Sequence, residues 1–247
     1  MFWKRKKSSG LEPRPRLPDG LRIYAIGDVH GRADLLGVAL NKIDSHLKRQ
    51  PSRRPLHVML GDYVDRGPGS AEVLDSLIFR SRFHEMVFIR GNHEAIFLEF
   101  LRQPSVFRHW RALGGLETLV SYGIKPPMIE DESSEVEMAM LLGGLMPPRH
   151  VEFLEATRTS FTCGDFFFAH AGIRPTVPIS RQSDEDLMWI RQEFLEHEGP
   201  LEKFVVHGHT PVVQPDLRAN RINIDTGAYA SGILSVIAIE GEKIDFV

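Results

Sequence analysis

The sequence has a single cysteine among 247 residues, and this scarcity limits the chemistry that the chain can use. Cys163 has no second cysteine with which to form an intrachain disulfide, and it cannot by itself build a cysteine-based zinc site. Any metal ion must therefore be held by histidine, aspartate, glutamate or asparagine side chains. A reducing, cytoplasmic compartment fits this use of cysteine.

The sequence also lacks a long apolar run and a strong net charge. No hydrophobic stretch approaches the length of a transmembrane helix, so stable membrane insertion is not expected. The net charge of −3 gives no overall electrostatic reason to expect a nucleic-acid partner. With 42% hydrophobic and 26% charged residues, the composition is that of one large domain with a buried core. Composition does not decide the oligomeric state, and a monomer is the default expectation.

Residues 1–20 are polar and rich in proline, and they contain four consecutive basic residues, Lys4 to Lys7. The stretch lacks the apolar segment of a signal peptide. We expect it to be a disordered tail, with residues 21–247 forming a single domain. An alternative is that Phe2, Trp3 and the basic residues contact an anionic membrane surface.

Three stretches share one plan, in which a strand-sized apolar run is followed by a glycine and then by side chains of the kind that bind metal ions. They are LRIYAIGDVHG at 21–31, LHVMLGDYVDRG at 56–67 and MVFIRGNHE at 86–94. Apolar residues at helical spacing come after each of them, so the pattern predicts three strand–loop–helix units in a parallel sheet with right-handed crossovers. Ligands collect beyond the carboxyl ends of such strands, and the three loops should converge there.

The pattern of apolar residues changes after residue 100. Residues 101–157 are helical pieces interrupted by glycine and proline pairs, which predicts a helical insert over the sheet edge. Strand-like runs return in TSFTCGDFFFAHAG, which predicts a hairpin that delivers His170 at its end. Further strands lead into HGHTP at 207–211 and continue to residue 247, with antiparallel returns. The expected fold class is therefore α/β with a mixed second half.

The polar side chains at the predicted strand ends are donors for a metal ion. They are Asp28, His30, Asp62, Asn92, His93, His170 and His209. Asp28 and His30 are two residues apart and would face the same side of an extended segment. Asp62 has two carboxylate oxygens and could bridge two ions about 3.5–4 Å apart, the separation used for in-line displacement at phosphorus.

Five blocks of the sequence together resemble the calcineurin-like metallophosphoesterases. The blocks are GDVHG at 27–31, GDYVDRG at 61–67, GNHE at 91–94, HAG at 170–172 and HGHTP at 207–211. They span most of the chain in the order of that family, and the nearest branch is the bacterial and phage type of phosphoprotein phosphatase. The resemblance implies two mixed β-sheets packed as a sandwich, flanked by helices.

The resemblance also implies a centre of two divalent metal ions. The first ion would take Asp28, His30 and the bridging Asp62, and the second would take Asp62 with Asn92, His170 and His209. Manganese is the first choice, with iron, zinc, nickel or cobalt as alternatives. Two cations that share one water lower its pKa, so that a hydroxide is available near neutral pH for direct attack on phosphorus without a phosphoenzyme.

The remaining family roles fall on neighbouring residues. His93 would be the general acid, oriented by the carboxylate of Asp65, and Arg66 would clamp the phosphate as a planar bidentate donor. Asn92 would also contact the substrate. Arg191 resembles a second clamp, and Arg90 is a weaker third candidate.

Two substrate classes remain open. His209 is followed by Thr210 and Pro211 rather than by the further histidine of many superfamily members, a pattern shared by protein phosphatases and symmetrical dinucleoside tetraphosphatases. Because relatives of the second kind often lack an acid at the position of Asp65, we expect a serine/threonine protein phosphatase. The alternative is a symmetrical phosphohydrolase of diadenosine tetraphosphate, or a phosphohydrolase of another nucleotide, with the same two-metal site. A third hypothesis is a metal-binding signalling or scaffold module without catalysis.

Overall fold

The computed structural model describes residues 14–125 and 132–247. Most of the expected tail, residues 1–13, lies outside this range. Within residues 14–20, Leu17 is buried and its backbone N–H donates to the carbonyl of Gly241 at 3.0 Å, so this part of the chain packs on the domain. None of the helices within the described ranges is both long and apolar enough to cross a bilayer.

The first half contains the three strand–loop–helix units that the periodicity predicts. They are β1 Leu21–Ile26 with α1 Ala33–Arg49, β2 Arg54–Met59 with α2 Ser70–Arg80, and β3 Glu85–Phe88 with α3 Asn92–Arg102. The strands are short runs of apolar residues bounded by turn residues, and α1 buries Leu36, Ala39, Leu40 and Ile43 on one face. Ser70 is the first residue of α2, and Gly69 occupies the N-cap position.

Short helices fill the region of the predicted insert. After a 3₁₀ turn at Pro104–Val106 come α4 Phe107–Ala112, α5 Gly115–Ser121, α6 Glu132–Leu145 and α7 Pro148–Glu155. Their buried side chains, among them Trp110 and Leu154, belong to the core cluster between the first sheet and the helices. The helices therefore cover the outer face of the sheet near β3.

The second half is rich in strands. Its elements are β4 Ser160–Cys163, β5 Phe166–Ala169, a 3₁₀ turn Ile179–Arg181, α8 Asp184–Trp189, α9 Gln192–Leu195, β6 Phe204–His207, β7 Asp216–Leu217, β8 Arg221–Asn223, α10 Ala228–Ser231, β9 Val236–Glu240 and β10 Lys243–Phe246. Strands β4 and β5 form the predicted antiparallel hairpin. Cys163 ends β4, and Gly164 and Asp165 make the turn.

Both sheets are mixed and have five strands each. The first has the order β10-β9-β1-β2-β3, in which β1, β2 and β3 are parallel and β9 runs antiparallel to β1. The second has the order β4-β5-β6-β8-β7, in which β5, β6 and β8 are parallel. Parallel strands end at a common edge, so each sheet presents a row of loops to one side.

The two sheets pack face to face. Ile23 and Ala25 of β1 point between the sheets and share one apolar cluster with Phe168 of β5 and Val206 of β6. The alternate residues of β1, such as Tyr24, point to the helices on the other face. The α/β sandwich flanked by helices is thus confirmed, and it brings the loops after β1, β2 and β3 beside those after β5 and β6.

Candidate metal centre

Asp62 lies at the middle of the loops that the two sheets bring together. It follows β2 and is almost fully buried. Its Oδ2 is 3.3 Å from Nε2 of His30, and its Oδ1 is 3.4 Å from Nε2 of His170. A carboxylate with one oxygen toward each of two histidines has the geometry that a bridging ligand requires.

Hydrogen bonds orient both of these histidines. The Nδ1–H of His30 donates to the carbonyl of Val64 at 3.0 Å, and the Nδ1–H of His170 donates to the carbonyl of Leu60 at 2.9 Å. Each ring is therefore oriented with Nε2 toward Asp62. A backbone acceptor that fixes the tautomer in this way is the usual support of a metal-binding histidine.

The remaining predicted donors surround these three. The Oδ1 atom of Asn92 is 3.0 Å and the Nδ1 atom of His209 is 3.1 Å from Nε2 of His170. Asp28 accepts the backbone N–H of His209 through Oδ2 at 3.0 Å. The structure thus brings all six ligands that the resemblance implies to one buried place, although they span residues 28 to 209.

Two subsets are compact enough to hold an ion. One consists of His30, Asp62 and His93, and the other of Asp62, His170 and His209, with ligand atoms within 4.8 Å of one another in each. The first subset contains His93 where the resemblance implies Asp28. Asp62 belongs to both, which agrees with its expected bridging position.

The electrostatics of the site favour a bound cation. Burial raises the pKa of Asp28 well above its usual value, and the carboxylate of Asp225 adds to the effect. Burial also opposes ionisation of Asp62, yet His170 and two other histidines outweigh it and hold the pKa of Asp62 well below its usual value. Burial disfavours a charged His170, but Asp62 and Asp28 prevail and raise its pKa to about 10. Burial and the adjacent His170 lower the pKa of His209 to about 2. The carboxylates thus make the potential at this buried place negative, which favours a proton or another cation there.

Divalent ions fit this donor set. Nitrogen and oxygen donors suit manganese, iron, zinc and related ions. Oδ1 of Asp28 and Nε2 of His209 are buried atoms without a hydrogen-bond partner in the described part of the chain. Buried polar atoms are normally paired, and a ligand is one reason for an exception. The number and identity of the ions remain a prediction.

The backbone is strained at the same place. Within residues 14–125 and 132–247, the non-glycine residues with positive φ are His30, Asp62, Asp65, Arg66 and His209. Such conformations cost free energy and persist only where the surrounding structure enforces them. Each of these five residues is a predicted site residue, so the strain marks the site independently of its side-chain chemistry.

The predicted acid and its partner form a buried pair. Nδ1 of His93 lies 2.7 Å from Oδ2 of Asp65, and Nε2 of His93 faces Asp62 at 3.8 Å. Asp65 also accepts hydrogen bonds from Nε1 of Trp110 at 2.9 Å and from Oγ1 of Thr118 at 2.6 Å. The carboxylate therefore holds the ring so that Nε2 is aimed at the centre.

The predicted arginines differ in position. Nη1 of Arg66 is 2.9 Å from Nε2 of His30, and its guanidinium lies 4.8 Å from the centre of the Tyr229 ring. Arg191 is exposed and approaches Oγ1 of Thr210, beside His209, at 3.5 Å. Arg90 was a candidate clamp, but its guanidinium donates to backbone carbonyls at 154–157 and joins the helical region to β3.

These features belong together in a known family. A family model described as calcineurin-like phosphoesterase matches residues 21–232. The chain belongs to the calcineurin-like phosphoesterases. The family resemblance read from the five sequence blocks is thereby confirmed, as is the expectation of a hydrolytic enzyme.

Individual relatives of this phosphoesterase cover most of its length. A protein of Anoxybacillus flavithermus named bis(5'-nucleosyl)-tetraphosphatase PrpE, asymmetrical, is 24% identical over 86% of this chain and 88% of its own. A protein of the same name from a Geobacillus species is 29% identical over 87% and 89%. Among solved structures, one provisionally described as a diadenosine tetraphosphatase has a TM-score of 0.62 at 20% identity and covers 92% of each chain, which shows a shared fold.

Sequence patterns missed several residues of the phosphoesterase site. Glu94 accepts the backbone N–H groups of Asp62 at 2.8 Å and Gly91 at 2.9 Å, and so fixes the loop that carries the bridging carboxylate. Trp110 and Thr118 reach Asp65 from the helical region. A buried tryptophan N–H usually needs a hydrogen-bond acceptor, so Trp110 could have been noticed in the sequence. The sequence alone does not identify Asp65 as that acceptor.

Proposed function

We propose that this phosphoesterase is a nucleotide phosphohydrolase with two divalent metal ions, acting on dinucleoside polyphosphates such as diadenosine tetraphosphate. The observation that supports a two-metal hydrolase is the position of Asp62, which directs one carboxylate oxygen toward His30 and the other toward His170. The substrate class is supported by the names of the relatives from Anoxybacillus and Geobacillus. This ranks the nucleotide reading above the protein phosphatase reading that the sequence favoured.

The residues would divide the work as follows. Divalent ions held by Asp28, His30, Asp62, Asn92, His170 and His209 would supply an activated water for attack on phosphorus at neutral pH. Arg66 would hold non-bridging phosphate oxygens, for which its planar fork is suited. His93 keeps its Nδ1–H on Asp65, so Nε2 is the atom from which a proton can pass to the leaving oxygen. None of these roles requires a phosphoenzyme.

The test is a direct comparison of substrates. The full chain, loaded in turn with manganese, iron, zinc, nickel or cobalt, is assayed with diadenosine tetraphosphate and with a phosphoserine peptide, and Asp62→Asn serves as the control. We expect kcat/KM at least about tenfold higher for the nucleotide, which corresponds to about 1.4 kcal/mol, and no activity in the control. Faster turnover of the peptide would overturn the proposed substrate class, and activity that survives in Asp62→Asn would overturn the metal centre.

Product analysis makes the proposal finer. Cleavage of diadenosine tetraphosphate into two molecules of ADP is symmetrical, whereas cleavage into AMP and ATP is asymmetrical. The sequence-based alternative was a symmetrical enzyme, while the names of the two relatives carry the word asymmetrical. We therefore infer AMP and ATP as products, which chromatography of the reaction distinguishes from ADP.

One observation favours the second candidate, a serine/threonine protein phosphatase. The Asp65–His93 pair is intact, at 2.7 Å. A serine alkoxide is a poor leaving group and needs a proton, whereas a nucleoside polyphosphate departs as a stable anion. A well-formed general acid therefore has more to contribute to the hydrolysis of a phosphoserine ester. The substrate comparison above separates the two candidates.

A further inference from the structure

One segment of the helical region contacts both the predicted acid pair and the predicted phosphate clamp. It runs from Phe107 to Ser121 and comprises α4, the glycines Gly114 and Gly115, and α5. We propose that Trp110 and Thr118 of this backing segment are positioning residues for His93, acting through the carboxylate of Asp65. The inference rests on the hydrolytic function proposed above.

Thr118 binds one side of Asp65. Its hydroxyl donates to Oδ1 of Asp65 at 2.6 Å and accepts the backbone N–H of the same residue at 2.9 Å. Ser70 Oγ is 2.9 Å from Thr118 Oγ1. Because the single hydroxyl hydrogen of Thr118 goes to the carboxylate, Ser70 must be the donor between the two hydroxyls. Thr118 is thus held in the rotamer that serves Asp65.

Trp110 binds the other oxygen of Asp65. Its Nε1–H donates to Oδ2 at 2.9 Å, the oxygen that is also 2.7 Å from Nδ1 of His93. The indole ring is fixed in turn by stacking on Phe97 and Phe100, with ring centres 5.0 and 4.7 Å away. Each carboxylate oxygen therefore has a rigid donor from the backing segment.

The orientation of the histidine ring follows from these contacts. With both oxygens of Asp65 fixed, the carboxylate plane cannot rotate, and the bond to Nδ1 sets the rotation of the His93 ring. Nε2 of His93 is buried and without a hydrogen-bond partner among the residues that the structure describes. No hydrogen bond to a described residue therefore competes with a substrate oxygen for this nitrogen. An aimed proton donor depends on such supporting contacts, because misplacement by a fraction of an ångström lowers its efficiency.

The glycine pair lets the backing segment come this close. A Cβ on Gly114, whose φ is +105°, would lie 2.8 Å from Cγ of Arg66, and a Cβ on Gly115 would lie 2.4 Å from Cε2 of Trp110. The carbonyl of Gly114 accepts the backbone N–H of Arg66 at 3.0 Å. Glycine is required at both positions for the segment to reach Asp65 and Arg66 together.

Leaving-group dependence separates a positioning role from a merely structural one. The full-length, manganese-loaded protein is assayed with p-nitrophenyl phosphate, which has a good leaving group, and with phenyl phosphate, which has a poorer one that needs a proton. The test variant is Thr118→Val, which removes the hydroxyl at nearly constant shape. Thr118→Ser restores the hydroxyl. Tyr122→Phe is the matched control, because Tyr122 follows the same segment but its hydroxyl bonds to His150.

We expect Thr118→Val to lower kcat for phenyl phosphate about 10–100-fold, a part of the roughly 100–10,000-fold that a positioned proton donor contributes. The kcat for p-nitrophenyl phosphate should fall less than about threefold, since that leaving group needs little proton transfer. KM should stay within about twofold for both substrates. Thr118→Ser and Tyr122→Phe should behave like the parent.

Equal losses on both substrates, or no loss on either, would overturn the inference. If Thr118→Val does not fold, Trp110→Phe and Thr118→Ser decide instead. Trp110→Phe should reproduce the selective loss on phenyl phosphate while Thr118→Ser retains activity, and any other pattern contradicts the positioning role. A parent protein that hydrolyses the nucleotide but neither aryl phosphate contradicts this inference and leaves the proposed function standing, whereas a parent that hydrolyses none of the three overturns both.

Discussion

His57 should make the folded protein sensitive to mild acid. It lies in β2, the strand that leads to Asp62, and it is fully buried. Both of its ring nitrogens are without hydrogen-bond partners in the described ranges. The ring stacks on His84 with centres 5.2 Å apart and meets the edge of Tyr24 at 5.7 Å. A protonated imidazole would be poorly accommodated there.

The size of the effect follows from proton linkage. Burial, assisted by the charges of Arg80 and His84 and opposed by Asp44, lowers the pKa of His57 from 6.5 to about 4. Between these values the unfolded chain binds a proton that the native state does not, so the free energy of unfolding falls as the pH drops through this window. With these two values, His57 should cost about 2 kcal/mol of stability between pH 7 and pH 5.

The assay is urea unfolding of the parent and of His57→Leu at both pH values. The parent should lose about 2 kcal/mol more than the variant on going from pH 7 to pH 5, because leucine binds no proton. Burial also lowers the pKa of His84, but His84 is present in both proteins and largely cancels in the difference. His109→Gln, at an exposed position, is the control. The reasoning is refuted if parent and His57→Leu lose the same stability.

Three further predictions concern the site. Chelation of divalent ions should abolish hydrolysis and lower the melting temperature by roughly 5–10 °C, the effect of losing a ligand present at about 100 times its Kd. Calorimetry with and without added manganese measures the shift. An unchanged melting temperature would contradict this prediction. Arg66→Lys should lower kcat/KM for p-nitrophenyl phosphate about 10–100-fold, because a charge-assisted bidentate contact with the phosphate is lost. A variant as active as the parent would exclude Arg66 as a phosphate-binding residue. Gly114→Ala should cost about 1–3 kcal/mol of stability, since its Cβ would press on Arg66 at a positive φ, and urea unfolding should show no loss if the contact is unimportant.

The first half of the fold could be predicted from local sequence patterns. The apolar runs of β1, β2 and β3 and the helical spacing after each are signals within a short window, and the donors follow the strands directly. Asp28, Asp62 and Asn92 could therefore be placed at strand ends without knowledge of the tertiary structure. The recurrence of one plan three times predicted that these ends meet.

Contacts between distant parts of the chain could not be predicted from such patterns. Strand β9 lies beside β1 although more than 200 residues separate them, and only the assembled sheet reveals this pairing. Left-handed backbone is expected first of glycine, whereas here His30, Asp62 and Arg66 adopt it as well, which their own sequence does not predict. The hydrogen bonds from Trp110 and Thr118 to Asp65 likewise depend on how α4 and α5 dock, which a segment's own sequence does not determine.

The most direct test of the account is diffraction from crystals of the manganese-loaded protein, recorded at a wavelength where manganese scatters anomalously. We predict two peaks about 3.5–4 Å apart, one on each side of the Asp62 carboxylate, with His30 beside one peak and His170 and His209 beside the other. A single peak, or peaks remote from Asp62, would contradict the central claim.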